Sequence, residues 1–274
     1  MIRRIGKNLG ILDDRGSPPQ AAAQLEADGY VVLRSVFTAD EVHDIADEVH
    51  AAFDTDPGVA DHRDRGEHRY AMLNRSAASQ AAVGHPAVLA AIEPLLGDDC
   101  HVLANTGWRN PSTFAGGGWH CDAGPHVPRA SGIEWDDRIP YPVFAIGAHI
   151  LLRDCAPADG PTAVVPGSHR SGRLAPRDRL HDPELSYDGR PPVLLEGRAG
   201  DVALFVSDAW HRGTPSAGGS GRFFLQVHYG RRDLAQRLRT TAEVNQISVQ
   251  AQERATTERA RSLIGLHDPY FYDG

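Results

Sequence analysis

The chain predicts a mainly β domain with flanking helices, a double-stranded β-helix (jelly roll) of cupin-like form. Two observations carry this. Between residues 20 and 97 apolar side chains recur at helical spacing, whereas from His101 onward short apolar runs are separated by Gly and Pro. Helices followed by many short strands fit two packed sheets with helices against them. The 28 glycines and 19 prolines are spread through the 274 residues, so no linker divides them. Residues 1–274 are therefore expected to form a single domain: a helical N-terminal part 20–97, a jelly-roll core at about 101–230 and a helical C-terminal tail 241–264.

Each element has a local reason. Residues 1–19 read as an irregular lead-in ending at Pro18-Pro19. Gln20 to Asp28 predicts a short helix stopped by Gly29, and Tyr30 to Leu33 a strand. Thr38 followed by Glu41 is a capping box. The helix it opens is expected to run to about Phe53, with Val42, Ile45, Ala46, Val49 and Phe53 as its apolar stripe. Asp54 to Arg69 is polar and reads as a loop, and Pro86 to Leu96 as a helix ended by Gly97. Strands are expected at His101–Trp108, Gly118–Asp122, Phe144–Leu152, Thr162–Val165, Val193–Leu195, Asp201–Val206 and Arg222–Tyr229.

Bulk properties narrow the function. A net charge of −8 argues against nucleic acid, because neutralising phosphates requires a basic face. No stretch approaches the roughly 20 apolar residues that cross a bilayer. Met1 to Asp14 lacks the apolar run of a signal peptide. Cys100, Cys121 and Cys155 have neither zinc-site nor disulfide spacing, so free thiols in a reducing cytoplasm are expected.

Gly117-Gly118-Trp119-His120-Cys121-Asp122, with the distant Trp210-His211 and then Arg222, carries the chemistry. On an extended strand His120 and Asp122 project from one face and Cys121 from the other. With His211 they form two imidazoles and a carboxylate, a facial set that suits Fe(II) with open positions for oxygen chemistry. Arg222 is placed to clamp a dicarboxylate with its two-pronged guanidinium. Together they point to an oxygenase using iron and 2-oxoglutarate. Trp119 and Trp210 should face away from the metal and pack in the sandwich core.

The order of motifs resembles the phytanoyl-CoA dioxygenase family. It begins with Leu25-Glu26-Ala27-Asp28-Gly29-Tyr30 and Phe37-Thr38-Ala39-Asp40-Glu41-Val42. It continues through Val164-Val165-Pro166-Gly167-Ser168-His169, Gly200-Asp201-Val202, Asp208-Ala209-Trp210-His211 and Gly221-Arg222-Phe223-Phe224. The resemblance implies Fe(II), 2-oxoglutarate as cosubstrate, O2, and ascorbate as a stimulant. It also implies a cosubstrate contact from Thr162. Relatives often carry Ser two residues after the distal histidine, and this chain has Gly213 there. Asp122 stands where halogenating relatives carry a small residue, which argues against halogenation.

Substrate residues are sought among Asn105, Trp108 and Arg109 and in the loop Ala123–Pro142, which carries His126, Trp135 and Tyr141 and is expected to cover the iron. His149 and His228 alternate into predicted strands, where they either line a pocket or are buried, hydrogen-bonded histidines; His169 reads as structural. The expected partner is a small organic molecule that is hydroxylated, epimerised, desaturated or cyclised, in bacterial natural-product tailoring. Two alternatives stay open: a cupin-like metal-dependent isomerase or hydrolase without 2-oxoglutarate, and a non-enzymatic jelly-roll binding module. Substrate identity and oligomeric state are not readable.

Overall fold

The structure is a computed structural model and describes residues 20–55, 67–122, 124–136, 138–234 and 247–267. Helix α1 (Gln20–Asp28) ends where Gly29 takes a positive φ of 82°, and β1 (Tyr30–Leu33) follows. Helix α2 (Ala39–Thr55) opens on the expected box: Thr38 N–H donates to Glu41 Oε2 at 2.8 Å and Glu41 N–H to Thr38 Oγ1 at 3.3 Å. Its stripe of Val42, Ile45, Val49 and Phe53 is buried. Helix α5 (Pro86–Leu96) comes after β2 (Glu67–Tyr70), α3 (Met72–Arg75) and α4 (Ala77–Val83).

Among the described residues, nine strands build two antiparallel sheets. To β1 and β2 are added β3 (His101–Arg109), β4 (Ala145–Leu151), β7 (Val202–Val206) and β9 (Phe223–Gly230), in the order β1-β7-β4-β9-β3-β2. The smaller sheet runs β6 (Val193–Leu194), β5 (Thr162–Val164), β8 (His211–Gly213). This is a double-stranded β-helix with helices against one side.

Strand alternation divides the large sheet into two faces. Ile146, Ala148 and Ile150 of β4 and Leu225, Val227 and Tyr229 of β9 join the helices in the main core. Each fully buried aliphatic side chain there contributes about 1.5–3 kcal/mol. The opposite face looks toward the small sheet: Phe205 and Ala203 of β7 pack with Val164 of β5. Phe224, Gln226 and His228 share that face with His149, which sits directly opposite Gln226 across the β4–β9 ladder.

Three sequence expectations need correction. Gly118–Asp122 is not a strand: it makes a single bridge, His120 to His211, after which Asp122 N–H turns to Ser207 O at 3.1 Å. Ladder pairing therefore ends after one pair. The expected loop at 54–69 is helical to Thr55 and strand from Glu67; polar residues mislead because β2 is a sheet edge, with Glu67 paired to Arg109 of β3. The tail 241–264 divides among the described residues into α6 (Val249–Arg254) and α7 (Glu258–Leu263), each capped by its own hydroxyl, Ser248 and Thr257. Residues 241–246 of that tail, the lead-in 1–19 with its leader reading, and residues 56–66 lie outside the described residues.

Two motifs of the family-like pattern, far apart in sequence, meet in space. Gly167 N–H donates to Asp28 O at 2.9 Å, and the His169 ring bonds Glu26 O at 2.9 Å. A Cβ on Gly29 would lie 2.5 Å from His169 Nδ1, so both the left-handed turn and the ring contact require glycine. His169 thus ties the small-sheet side to α1.

Candidate active site

A cavity of about 470 Å³ opens between the two sheets. The large sheet contributes Trp108, His149, Phe224 and Gln226; the other wall contributes His120, Asp122, Thr162 and His211. Arg222 reaches in from the residue before β9, its backbone exchanging hydrogen bonds with Asn110 at 2.8 and 3.2 Å.

His120, Asp122 and His211 bring one donor atom each to within 4.8 Å of one another. The His120–His211 bridge explains how residues far apart in sequence converge: the backbones exchange two N–H···O bonds of 3.0 Å, and the rings lie 4.3 Å apart. Each ring turns Nδ1 to the carbonyl two residues before it, Gly118 O for His120 and Ala209 O for His211, both at 2.9 Å. An Nδ1–H donated to a carbonyl leaves Nε2 as a lone pair, the state a metal ligand requires. Burial lowers the pKa of His120, with His211 beside it adding to the effect. Burial would raise that of Asp122, but the neighbouring His211 and His228 outweigh it and hold the carboxyl well below its usual range. Two imidazoles and one carboxylate thus fit a divalent first-row metal.

Beside this trio sits a cation without a carboxylate partner among the described residues. Arg222 is buried, its Nη1–H donates to Thr162 Oγ1 at 2.8 Å, and its Nε finds no partner among the described residues. Burial lowers its pKa to about 10. Phe114 and Phe224 lie beneath the guanidinium at 5.4 and 5.1 Å. Thr162 Oγ1 also meets His149 Nδ1 at 3.2 Å, leaving His149 Nε2 buried and unpartnered among the described residues. A desolvated guanidinium backed by a hydroxyl can receive a carboxylate in two-pronged fashion.

The other sequence candidates fall elsewhere. Asn105 and Arg109 lie on the β3 face opposite Trp108; Asn105 pairs with Val227 of the main core, and Arg109 with Glu67 and the Phe53 ring. Neither lines the cavity. His126 is held by Asp208 and stacks on Phe144, and Trp135 donates Nε1–H to Ile139 O at 2.6 Å while edging Tyr141. His126 ties the loop to the body, whereas these Trp135 contacts lie within the loop, and neither residue is among those lining the cavity. Trp119 and Trp210 pack in a cluster with Ala163, Val165 and Leu185, away from the His120–Asp122–His211 trio. The cavity wall also includes Phe114 and His181, which no sequence pattern singles out. His228 makes a contact to Asp122 that strand alternation could suggest but not specify.

Comparison with known proteins agrees with this architecture. The family model for phytanoyl-CoA dioxygenase matches residues 25–224. The ectoine dioxygenase of Sphingopyxis alaskensis is 30% identical over 165 residues, covering 55% of this chain and 49% of that protein. The chain thus spans about half the length of this curated relative. Among solved structures, the epimerase SnoN in complex with Fe3+, alpha ketoglutarate and nogalamycin RO superimposes with a TM-score of 0.62 at 21% identity, covering 83% of this chain and 88% of that one. HygX from Streptomyces hygroscopicus with nickel and 2-oxoglutarate bound gives 0.62 at 18%, covering 80% and 89%. EctD from S. alaskensis with 2-oxoglutarate and 5-hydroxyectoine gives 0.59 at 22%, covering 81% and 77%. At these identities the structural likeness speaks for the fold, whereas the family match covers most of the sequence. With the motifs in one cavity and that match across the core, this chain belongs to the phytanoyl-CoA dioxygenase family.

Proposed function

We propose that the chain is an Fe(II)- and 2-oxoglutarate-dependent oxygenase acting on a small organic molecule. The observation that carries this reading is the pairing, in one cavity, of a His120–Asp122–His211 donor set with a buried Arg222 that has no carboxylate partner among the described residues. When bound, iron, 2-oxoglutarate and O2 supply oxidative decarboxylation of the cosubstrate and oxidation of a substrate C–H bond. The chain's own residues bind and orient. His120, Asp122 and His211 hold the ion, and Arg222 with Thr162 takes the distal carboxylate of 2-oxoglutarate. Trp108, Phe114 and Phe224 exclude water from the space between.

Family membership and the structural neighbours support this reading: the epimerase SnoN holds Fe3+ and alpha ketoglutarate, HygX holds nickel and 2-oxoglutarate, and SnoK is an alpha ketoglutarate dependent carbocyclase. Hydroxylation, with epimerisation, desaturation or cyclisation as variants on the same centre, is the reaction we assign, in natural-product tailoring. An isomerase or hydrolase without 2-oxoglutarate has no use for a desolvated, unpaired guanidinium, and a simple binding module none for the metal trio. The three free thiols and the absence, among the described residues, of a helix long and apolar enough to cross a membrane are in keeping with a cytoplasmic enzyme.

The test is binding of 2-oxoglutarate to the anaerobic Fe(II) protein, read as a weak visible charge-transfer band, followed by succinate release under air. No band with saturating iron and cosubstrate would reject the assignment.

A further inference from the structure

We infer that Trp108, His68 and Tyr70 form an exit path that carries oxidising equivalents from the cavity to the surface when no substrate is seated. The path rests on the oxygenase reading above and adds a protective function to it. Among the described residues that line the cavity, Trp108 is the only tryptophan or tyrosine. Phenylalanine and histidine rings are much harder to oxidise than indole or phenol. An oxidant formed in this space that meets no substrate therefore finds its electron donor in Trp108.

The large sheet holds this indole in a row of rings. Phe224 of β9 lies 6.3 Å from it and nearly parallel, at 8°. His68 of β2, its direct partner across the β2–β3 ladder, lies 4.9 Å away. The indole N–H is fixed on Gln226 Oε1 at 2.7 Å. Tyr70, two residues beyond His68 and so on the same face of β2, meets the His68 ring at 4.9 Å. Cross-strand ring pairs stabilise a sheet edge, but packing gives little reason for Tyr70, which is 45% exposed. Because β2 is the last strand of the large sheet, the row begins at the cavity wall and ends in solvent. Electron transfer falls off steeply with distance, and neighbouring rings divide the way into two short steps.

The electrons balance as follows. When O2 has oxidised 2-oxoglutarate to succinate and CO2 without a substrate in place, one oxygen atom with two oxidising equivalents is left at the metal. Trp108 gives it one electron. Tyr70 refills the indole through His68 and releases its phenolic proton to solvent. A soluble reductant of the ascorbate type then returns a hydrogen atom to the phenolic oxygen. Two such passages, with two protons taken up in the cavity, convert the oxygen atom to water and leave both rings intact. Without the path the same equivalents attack the protein, a side reaction that a water-excluding site must also prevent.

Freeze-quenched electron paramagnetic resonance tests the path. The Fe(II)–2-oxoglutarate protein is exposed to O2 without substrate, and succinate release is measured beside it. Wild type should give a tyrosyl radical signal that is lost in Y70F and W108F and is quenched by ascorbate. Y70F keeps the ring and loses only the oxidisable O–H. In it, peptide mass spectrometry should find several-fold more oxygenated Trp108 per succinate released than in wild type. Melting curves check that each variant is folded, and if W108F does not fold or releases no succinate, Y70F decides alone. A tyrosyl signal that survives in Y70F, or Trp108 oxidation in that variant no higher than in wild type, overturns the path. A wild-type signal in W108F overturns it too, as does succinate release by wild type with no tyrosyl radical; each leaves the oxygenase reading standing. No succinate from wild type rejects that reading, and this path with it.

Discussion

Gly213 lies directly against Arg222: a Cβ at Gly213 would stand 2.5 Å from Nη2 and 3.0 Å from Phe114 Cε1. The guanidinium occupies the space that a side chain at this position would take. The serine that related sequences often carry here is therefore incompatible with Arg222 as it is placed in this chain. Gly213→Ser should push the guanidinium off Thr162 and raise the apparent KM for 2-oxoglutarate by at least about tenfold, or about 1.4 kcal/mol, with a smaller effect on kcat. A wild-type KM would mean that Arg222 has a second, equally good position.

Arg222→Lys tests the same contact from the other side. Lysine keeps the charge but loses the planar pair of donors, and in this pocket it must still bond Thr162. We expect the KM for 2-oxoglutarate to rise by at least about tenfold, again about 1.4 kcal/mol. Steady-state kinetics at saturating iron would measure it. No change would leave Arg222 a structural cation and reopen the reading without 2-oxoglutarate.

Replacing His120, Asp122 or His211 with Ala should abolish turnover and sharply weaken iron binding. The fold should survive, because none of the three belongs to an apolar cluster that holds the sheets together. Near-normal succinate formation by the Asp122→Ala protein would sink the facial-triad assignment.

What could be read from the sequence divides along physical lines. Helix α1, strand β1 and helix α5 have local signals at both ends, Gly29 and Gly97 at positive φ and Pro86 at a helix start, and their limits match expectation. The grouping of His120, Asp122 and His211 was readable as a motif, although its geometry arises from a single bridge and not from the strand that alternation suggests. Which β3 residues face the cavity was not readable. A register shift between Val102 and Ala104 helps decide it, putting Trp108 in the cavity wall and Asn105 on the helix side. Such an irregularity leaves no mark in the hydrophobic pattern. Helices α3 and α4 escaped because they are short and gain their stability from packing: Met72, Leu73, Ala82 and Val83 are core residues.

His169 predicts a loss of stability in acid. Burial drives its pKa from 6.5 down to about 4, opposed by its bond to Glu26 O. The unfolded chain takes up this proton near pH 6.5, whereas the folded chain resists until about pH 4. The stabilising contribution is therefore complete above pH 6.5 and is lost progressively as pH falls toward 4. Its size is on the order of 3 kcal/mol. His169→Gln, which can still donate to Glu26 O but does not titrate, should flatten the dependence of melting temperature on pH between 4 and 6.5. Equal slopes in the two proteins would place the acid sensitivity in other groups.

The loop from residue 124 to 142 is tied down at its ends, and between them Arg129 N–H donates to Gly172 O at 3.0 Å and Glu134 meets Arg173 and Tyr187. Asp208, itself buried, accepts from His126 N–H at 2.9 Å and from Tyr141 O–H at 3.0 Å, and also holds the His126 ring. Between these anchors Ile133 and Ile139 are 57% and 54% exposed, and Arg138 bonds only the nearby Asp136 among the described residues. Asparagine at position 208 keeps the size of the side chain but loses the charge and one acceptor, leaving buried donors unsatisfied. Asp208→Asn should therefore cost about 2–3 kcal/mol, lowering the melting temperature by roughly 5–10 °C. It should also speed tryptic cleavage at Arg138, because loosened anchors let the segment unfold into the protease. In the wild-type protein, Fe(II) and 2-oxoglutarate should slow that cut if the middle of the loop closes over the cavity, as excluding water from the reaction requires. Equal cleavage rates with and without them would make this segment a fixed wall. If the loop does close, Trp135→Ala should alter which substrates fit without changing the affinity for 2-oxoglutarate, which is held by Arg222 and not by the loop.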